Sequence, residues 1–235
     1  MKLATLRLPD AETAALVLPE GILPLTGLNQ RLNHCWPTDL LTLVTSGELA
    51  GLNAWYRAGG RAEAAALRSD LLAPGSVTFG PLYRRPRKIW GIGLNYVAHA
   101  ADLAEKAPNE EPASFMKPDT TIVGHGDTIK IPRQSEKTTG EAELGVIMGR
   151  ECRDVSESDW LSAVAVFTTI LDMTADDILR KIPHYLTRSK SFDTFFSFGP
   201  VMITPDEIVD VLRLKVATVI TADKQRCEVE AYVRV

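Results

Sequence analysis

The chain has 235 residues, 45% of them hydrophobic and 24% charged, the proportions of a globular protein with a sizeable core. A net charge of −4 and a pI near 5.6 argue against nucleic acid as the main partner. No apolar run approaches the ~20 residues of a membrane span. Cys35, Cys152 and Cys227 are odd in number and far apart, which suits reduced thiols in a cytosolic protein and not a disulfide frame or zinc module.

Residues 1–10 lack the long apolar core of a signal peptide, which agrees with a cytoplasmic location. Residues 2–8 alternate as a strand, and residues 14–18 are expected to pair with them in a hairpin. Asp39 is a good cap for a short helix over residues 40–44, and residues 61–68 are strongly helix-forming. Residues 1–80 carry no acid/base cluster and no glycine loop, so they are read as a small N-terminal subdomain with a packing or contact role. Residues 81–86, rich in Pro and Arg, read as a linker.

A second unit, residues 81–235, then opens with a buried strand over residues 88–94. Gly91 and Gly93 lack the third glycine of a dinucleotide fingerprint, so close packing explains them better. Residues 95–105 read as a helix with Asn95 as its cap. On it His99 and Asp102 stand at i and i+3, where a carboxylate can orient an imidazole as a general base requires. The same spacing also describes an incidental pair on a solvated helix face. Residues 106–112 are polar and proline-punctuated, as a lid would be. Short strands are expected at residues 113–117, ending in Lys117, and at residues 128–132.

The segment Gly140-Glu141-Ala142-Glu143-Leu144 begins a strand on which two carboxylates share a face, about 7 Å apart at ~3.3 Å per residue. Like charges placed so closely call for a positive partner, and a divalent cation with hard oxygen ligands fits. Ser156-x-x-Asp159 suggests a capped helix running to Val164. Residues 166–172 are β-branched and apolar, a buried strand whose end presents Asp172 before a helix near residues 175–179. Asp172 can serve as a third oxygen ligand or as the cap of that helix. Residues 187–195 mix cations, hydroxyls and aromatics. Residues 205–208 suit a proline-led helical turn, and residues 212–220 and 229–235 alternate as strands.

Taken in order, Gly93-Leu94-Asn95-Tyr96 with His99, Phe115-Met116-Lys117-Pro118, Gly140-Glu141-Ala142-Glu143-Leu144, Leu171-Asp172-Met173-Thr174-Ala175 and Lys190-Ser191-Phe192-Asp193 resemble the fumarylacetoacetate hydrolase family. The resemblance runs from about residue 88 to residue 220. It implies a mostly β, α+β chain: a mixed β-roll or sandwich catalytic domain plus the small N-terminal α+β subdomain. It implies a homodimer and Mg2+ or Mn2+ held by Glu141, Glu143 and Asp172. It places Lys117, Asn95 and Tyr96 at a small oxo-acid substrate, with His99, Asp102 and Lys190 as catalytic groups. The implied reaction is hydrolysis of a carbon–carbon bond in a 2,4-dioxo acid such as an acylpyruvate, through a metal-stabilised enolate. The same scaffold supports oxo-acid decarboxylases, isomerases, dehydratases and other lyases. This chain departs from the family pattern at Asp176, where Arg is usual, at Leu179, where Gln is usual, and at Asp102, where the lid acid is usually Glu. It also leaves the pattern after Ile220, so the catalytic domain is expected to be incomplete at its C-terminal end. These departures also suit a catalytically degenerate metal-binding relative.

Overall fold

A computed structural model describes residues 1–93, 113–181, 186–222 and 227–234. It opens with an antiparallel meander, β1 (Lys2–Arg7), β2 (Glu12–Leu18) and β3 (Gly21–Pro24). Leu3 stands opposite Leu16 and Thr5 opposite Ala14. The middle of both β1 and β2 is buried residue after residue, because helices cover one face, with Leu3 and Leu16, and Val77 and Phe79 cover the other, with Leu6 and Ala15. Those helices are Leu25–Leu32, Leu40–Thr45, Glu48–Trp55 and Arg61–Ala66. Asp39 caps the second as expected, accepting a hydrogen bond from the Thr42 N–H. The first ends on Asn33 in the left-handed conformation (φ 55°), which Asn tolerates better than most residues.

The remaining strands are β4 (Ile89–Gly93), β5 (Ala113–Lys117), β6 (Ile122–Val123), β7 (Thr138–Met148), β8 (Val164–Ala175), β9 (Phe196–Ile203), β10 (Lys215–Ala222) and β11 (Cys227–Arg234). The main sheet runs β3-β2-β1-β9-β8-β7, with β6 added parallel to β9. Thus β1 hydrogen-bonds to β9, Leu3 opposite Met202, and residues 1–80 extend the sheet that carries the later strands. One apolar cluster joins Leu3, Leu16, Leu43 and Leu52 to Val166, Phe198 and Met202. Two hairpins complete the described structure, β4–β5 and β10–β11. The architecture is α+β and mostly strand, as the sequence implied.

Local differences have physical reasons. Residues 128–132 form no strand: the Lys130 N–H goes to the Thr194 hydroxyl, and Pro132 has no N–H to give. Ser156 does bond the Asp159 carboxylate, but the chain then makes only one 3-10 turn, Trp160–Ala163, before β-branched Val164 opens β8. Strand β4 is not buried: Trp90 and Ile92 face outward from a two-stranded sheet. Residues 211–213 make a 3-10 turn, so β10 begins only at Lys215. The helix after β8 is Asp176–Lys181, and Asp172 lies inside the strand, not at its end.

Candidate metal centre

The site is built on the β7–β8 pair, where Glu141 stands directly opposite Asp172. Directly opposed residues share a face, and alternate residues on each strand share it too. Thr139, Glu141 and Glu143 from β7 therefore line one face with Ile170, Asp172 and Thr174 from β8. The other face carries Gly140, Leu171 and Met173 and is covered by the β10–β11 hairpin. Packing there is close: a Cβ at Gly140 would lie 3.0 Å from Val229. The Thr218 hydroxyl accepts the Ala142 N–H at 2.8 Å across the same contact.

Lys190 comes to the polar face from the end of the helix Leu186–Lys190 and is only 4% exposed. Its ammonium lies 2.6 Å from Asp172 Oδ2 and 2.9 Å from Glu141 Oε2, and donates to Thr174 Oγ1 at 2.7 Å. The Thr174 hydroxyl passes its own hydrogen to Glu141 Oε1 at 3.1 Å, and the Thr139 hydroxyl reaches the same oxygen at 3.4 Å. The Phe115 ring closes the opposite side, 4.6 Å from the Lys190 nitrogen, a cation–π distance. Gly91 makes room for that ring, since a Cβ there would come within 2.1 Å of it. Burial opposes the Lys190 charge, but Asp172 and Glu141 outweigh it and hold the amine above its ordinary value.

Lys117 ends β5 and is also buried. It lies 2.7 Å from Asp172 Oδ1, yet its hydrogens go to the carbonyls of Met173, Lys190 and Phe195. Asp172 Oδ1 is therefore ion-paired without a well-aligned hydrogen bond, and as a carboxylate oxygen it keeps lone-pair capacity beyond that contact. Here burial outweighs the attraction of Asp172, and the Lys117 amine falls to about 8.

The structure thus brings together Glu141, Asp172, Lys190 and Lys117, and places Glu143 on the same face one step along, opposite Ile170. Asp172 binds lysines and does not cap the following helix. Among the described residues no three His, Cys, Asp or Glu side chains form a ready metal cluster. The donor chemistry nevertheless fits a hard divalent cation: two carboxylates meet, and one oxygen of Asp172 has no hydrogen-bond donor. Asn95, Tyr96, His99 and Asp102 lie outside the described residues. Sequence reasoning passed over Thr139, Thr174 and Phe115, although the alternation that pairs Glu141 with Glu143 also marks Thr139. Asp176 is drawn away by Lys137 at 2.7 Å and Arg180 at 2.9 Å; burial opposes its charge, but those two cations hold its carboxyl below the usual range.

Residues 88–233, more than half of the chain, match the family model described as Fumarylacetoacetate (FAA) hydrolase C-terminal. The chain belongs to the fumarylacetoacetate hydrolase family. An Archaeoglobus fulgidus relative is 41% identical over 122 residues, 52% of this chain and 48% of that protein. The chain spans about half the length of the curated relatives it matches. Among solved structures, the fumarylacetoacetate hydrolase of psychrophilic Exiguobacterium antarcticum aligns with a TM-score of 0.72 at 22% identity, covering 97% of this chain and 75% of that one. The maleylpyruvate hydrolase of Sphingobium sp. SYK-6, solved with manganese(II) and pyruvate, aligns at 0.69 and 23% identity, covering 97% and 76%. At these identities the likeness to the two structures is one of fold. No helix among the described residues is long and apolar enough to cross a membrane.

Proposed function

We propose that this chain carries a divalent-metal-dependent site for carbon–carbon bond hydrolysis in a small 2,4-dioxo acid of the acylpyruvate type. The observation that carries the reading is the convergence of Glu141, Asp172 and two buried lysines on one face of the β7–β8 pair. Glu141, Glu143 and Asp172 would hold Mg2+ or Mn2+, with Asp172 Oδ1 as one donor. When bound, such an ion supplies Lewis-acid stabilisation of enolate charge.

The charges favour an anionic substrate. Three carboxylates (−3) and two lysines (+2) sum to −1, and a divalent ion would turn this to +1. Lys190, oriented by Thr174 and braced by Phe115, offsets negative charge that develops on the departing oxo-acid fragment. The Thr174 hydroxyl bridges the Lys190 ammonium and the Glu141 carboxylate. His99, oriented by Asp102, is proposed from the family resemblance as the base that removes a proton from the attacking water. The carbon–carbon bond then breaks, its electron pair leaves on the oxo-acid fragment, and that fragment takes up a proton. The groups on the β7–β8 face would equally serve a decarboxylation, which needs enolate stabilisation and no water.

The test is turnover of an acylpyruvate and of oxaloacetate with Mn2+ or Mg2+ and with EDTA, alongside calorimetric titration of Mn2+. Metal-dependent loss of the acylpyruvate that EDTA abolishes and His99→Ala removes supports the hydrolase. Oxaloacetate loss that survives His99→Ala moves the assignment to a decarboxylase. Bound Mn2+ with neither substrate consumed refutes both.

A further inference from the structure

We infer that Lys117 is a positioning residue, which sets Asp172 and Lys190 in place and does not touch the substrate. The inference rests on the metal-site reading of the β7–β8 face. An ammonium has three hydrogens. Lys117 gives them to three carbonyls from three elements: Met173 in β8 at 3.1 Å, Lys190 at its helix end, and Phe195 just before β9 at 2.9 Å. No donor is left for a ligand, and the side chain is 1% exposed. A substrate oxygen could reach it only by stripping a buried carbonyl of its partner, which is costly.

The geometry instead suits a brace. Met173 follows Asp172 directly, so tying its carbonyl fixes the backbone next to the ligand carboxylate. Lys190 is held at both ends, its carbonyl by Lys117 and its ammonium by Asp172, Glu141 and Thr174. Meanwhile the Lys117 charge lies 2.7 Å from Asp172 Oδ1 without spending a hydrogen on it. That oxygen is held in line beside the ammonium and keeps lone-pair capacity for a cation.

The experiment compares the wild type with Lys117→Met and Lys117→Gln, folded by circular dichroism. It has two readouts. One is the Mn2+ dissociation constant by calorimetry. The other, taken without metal, is reductive methylation of each lysine read by mass spectrometry. With Lys117→Met, Lys190 should be labelled at least about tenfold faster while exposed Lys130 and Lys181 stay unchanged, and Mn2+ affinity should fall about 10- to 100-fold, the range for lost ligand-orienting partners. Lys117→Gln returns two N–H donors and should recover part of both effects. The inference is overturned if folded variants keep Lys190 protected and bind Mn2+ within about twofold of wild type. If Mn2+ binds no form but Lys190 is unmasked, the metal reading fails and the brace stands. If neither variant folds, the wild type decides. Lys117 should resist labelling with or without pyruvate; free labelling that pyruvate blocks would make it a substrate contact.

Discussion

Replacing Lys190 by Met removes a cation wedged between two carboxylates while keeping much of the side-chain volume. In the native site the ammonium lies 2.6 Å from Asp172 and 2.9 Å from Glu141. At an effective dielectric near 20, each pair is worth about 6 kcal/mol of Coulomb attraction, so the gross loss is about 12 kcal/mol. Most of that is offset, because the variant no longer buries an ammonium. Removal of one partner from a buried pair leaves a net cost of about 3–5 kcal/mol. Urea denaturation at pH 7 should show a deficit of that size. The Lys190 amine is raised in the folded state, so its stabilisation is complete below the ordinary 10.5 and fades only as pH climbs through the raised value. The Lys190 contribution should therefore not fade between pH 7 and pH 9, although Lys117, at about 8, titrates in that range. In an Asp172→Asn background it should shrink by at least about 1 kcal/mol, the signature of direct coupling. A deficit below about 1 kcal/mol, or one that fades between pH 7 and pH 9, would refute the view that Lys190 balances these carboxylates.

Three further outcomes are expected. Gly91→Ala drives a Cβ to within 2.1 Å of the Phe115 ring and should cost about 1–3 kcal/mol in thermal or urea denaturation; an unchanged midpoint would mean that β4 yields without disturbing Phe115. Asp127→Asn breaks the paired hydrogen bonds from Arg7 at 2.9 and 3.0 Å and should cost about 1 kcal/mol at pH 7. Arg7 holds the Asp127 carboxyl below its ordinary 3.8, so this stabilisation is lost as pH falls through the lowered value, and the variant should match wild type in strong acid; equal costs at pH 7 and in strong acid would refute the ion-pair origin. Glu143→Ala should weaken Mn2+ binding and abolish turnover; unchanged affinity by calorimetry would remove Glu143 from the ligand set.

The parts of the site legible in the sequence are those fixed by local period. Alternation alone puts Glu141 and Glu143 on one face, and the β-branched run before Asp172 announces a strand. What a linear reading lacks is the partner. Lys117 ends a recognisable strand, yet nothing nearby shows that three distant carbonyls take its hydrogens. Lys190 lies in a stretch that also suits an exposed loop, and only the helix packed against β8 buries it. Residues 128–132 alternate as well as many strands, but their backbone meets a side chain and not a neighbouring strand. At residues 156–164 the expected cap does not form, since Ser156 and Asp159 bond each other by their side chains, and the β-branched start of β8 ends the helix after one turn.

The register of β7 against β8 then decides which side of the sheet is polar. A slip of β7 by one residue would turn Glu141 and Glu143 toward the β10–β11 hairpin and bring Gly140 and Ala142 to the face that carries Asp172. That register is locked from both sides. The β10–β11 hairpin fits only against the small, apolar face, where Gly140 leaves 3.0 Å to Val229 and Thr218 bonds Ala142. On the far side β8 pairs with β9, and β9 with β1, whose core residues pack on the N-terminal helices. The irregularity in the β7–β8 pairing falls at Ile147 and Met148, beyond the site, so the polar face keeps an unbroken ladder from Thr139 to Glu143. A chemically bland N-terminal region thus acts on the site through strand pairing: it fixes β1, β1 fixes β9, and β9 holds the strand that carries Asp172.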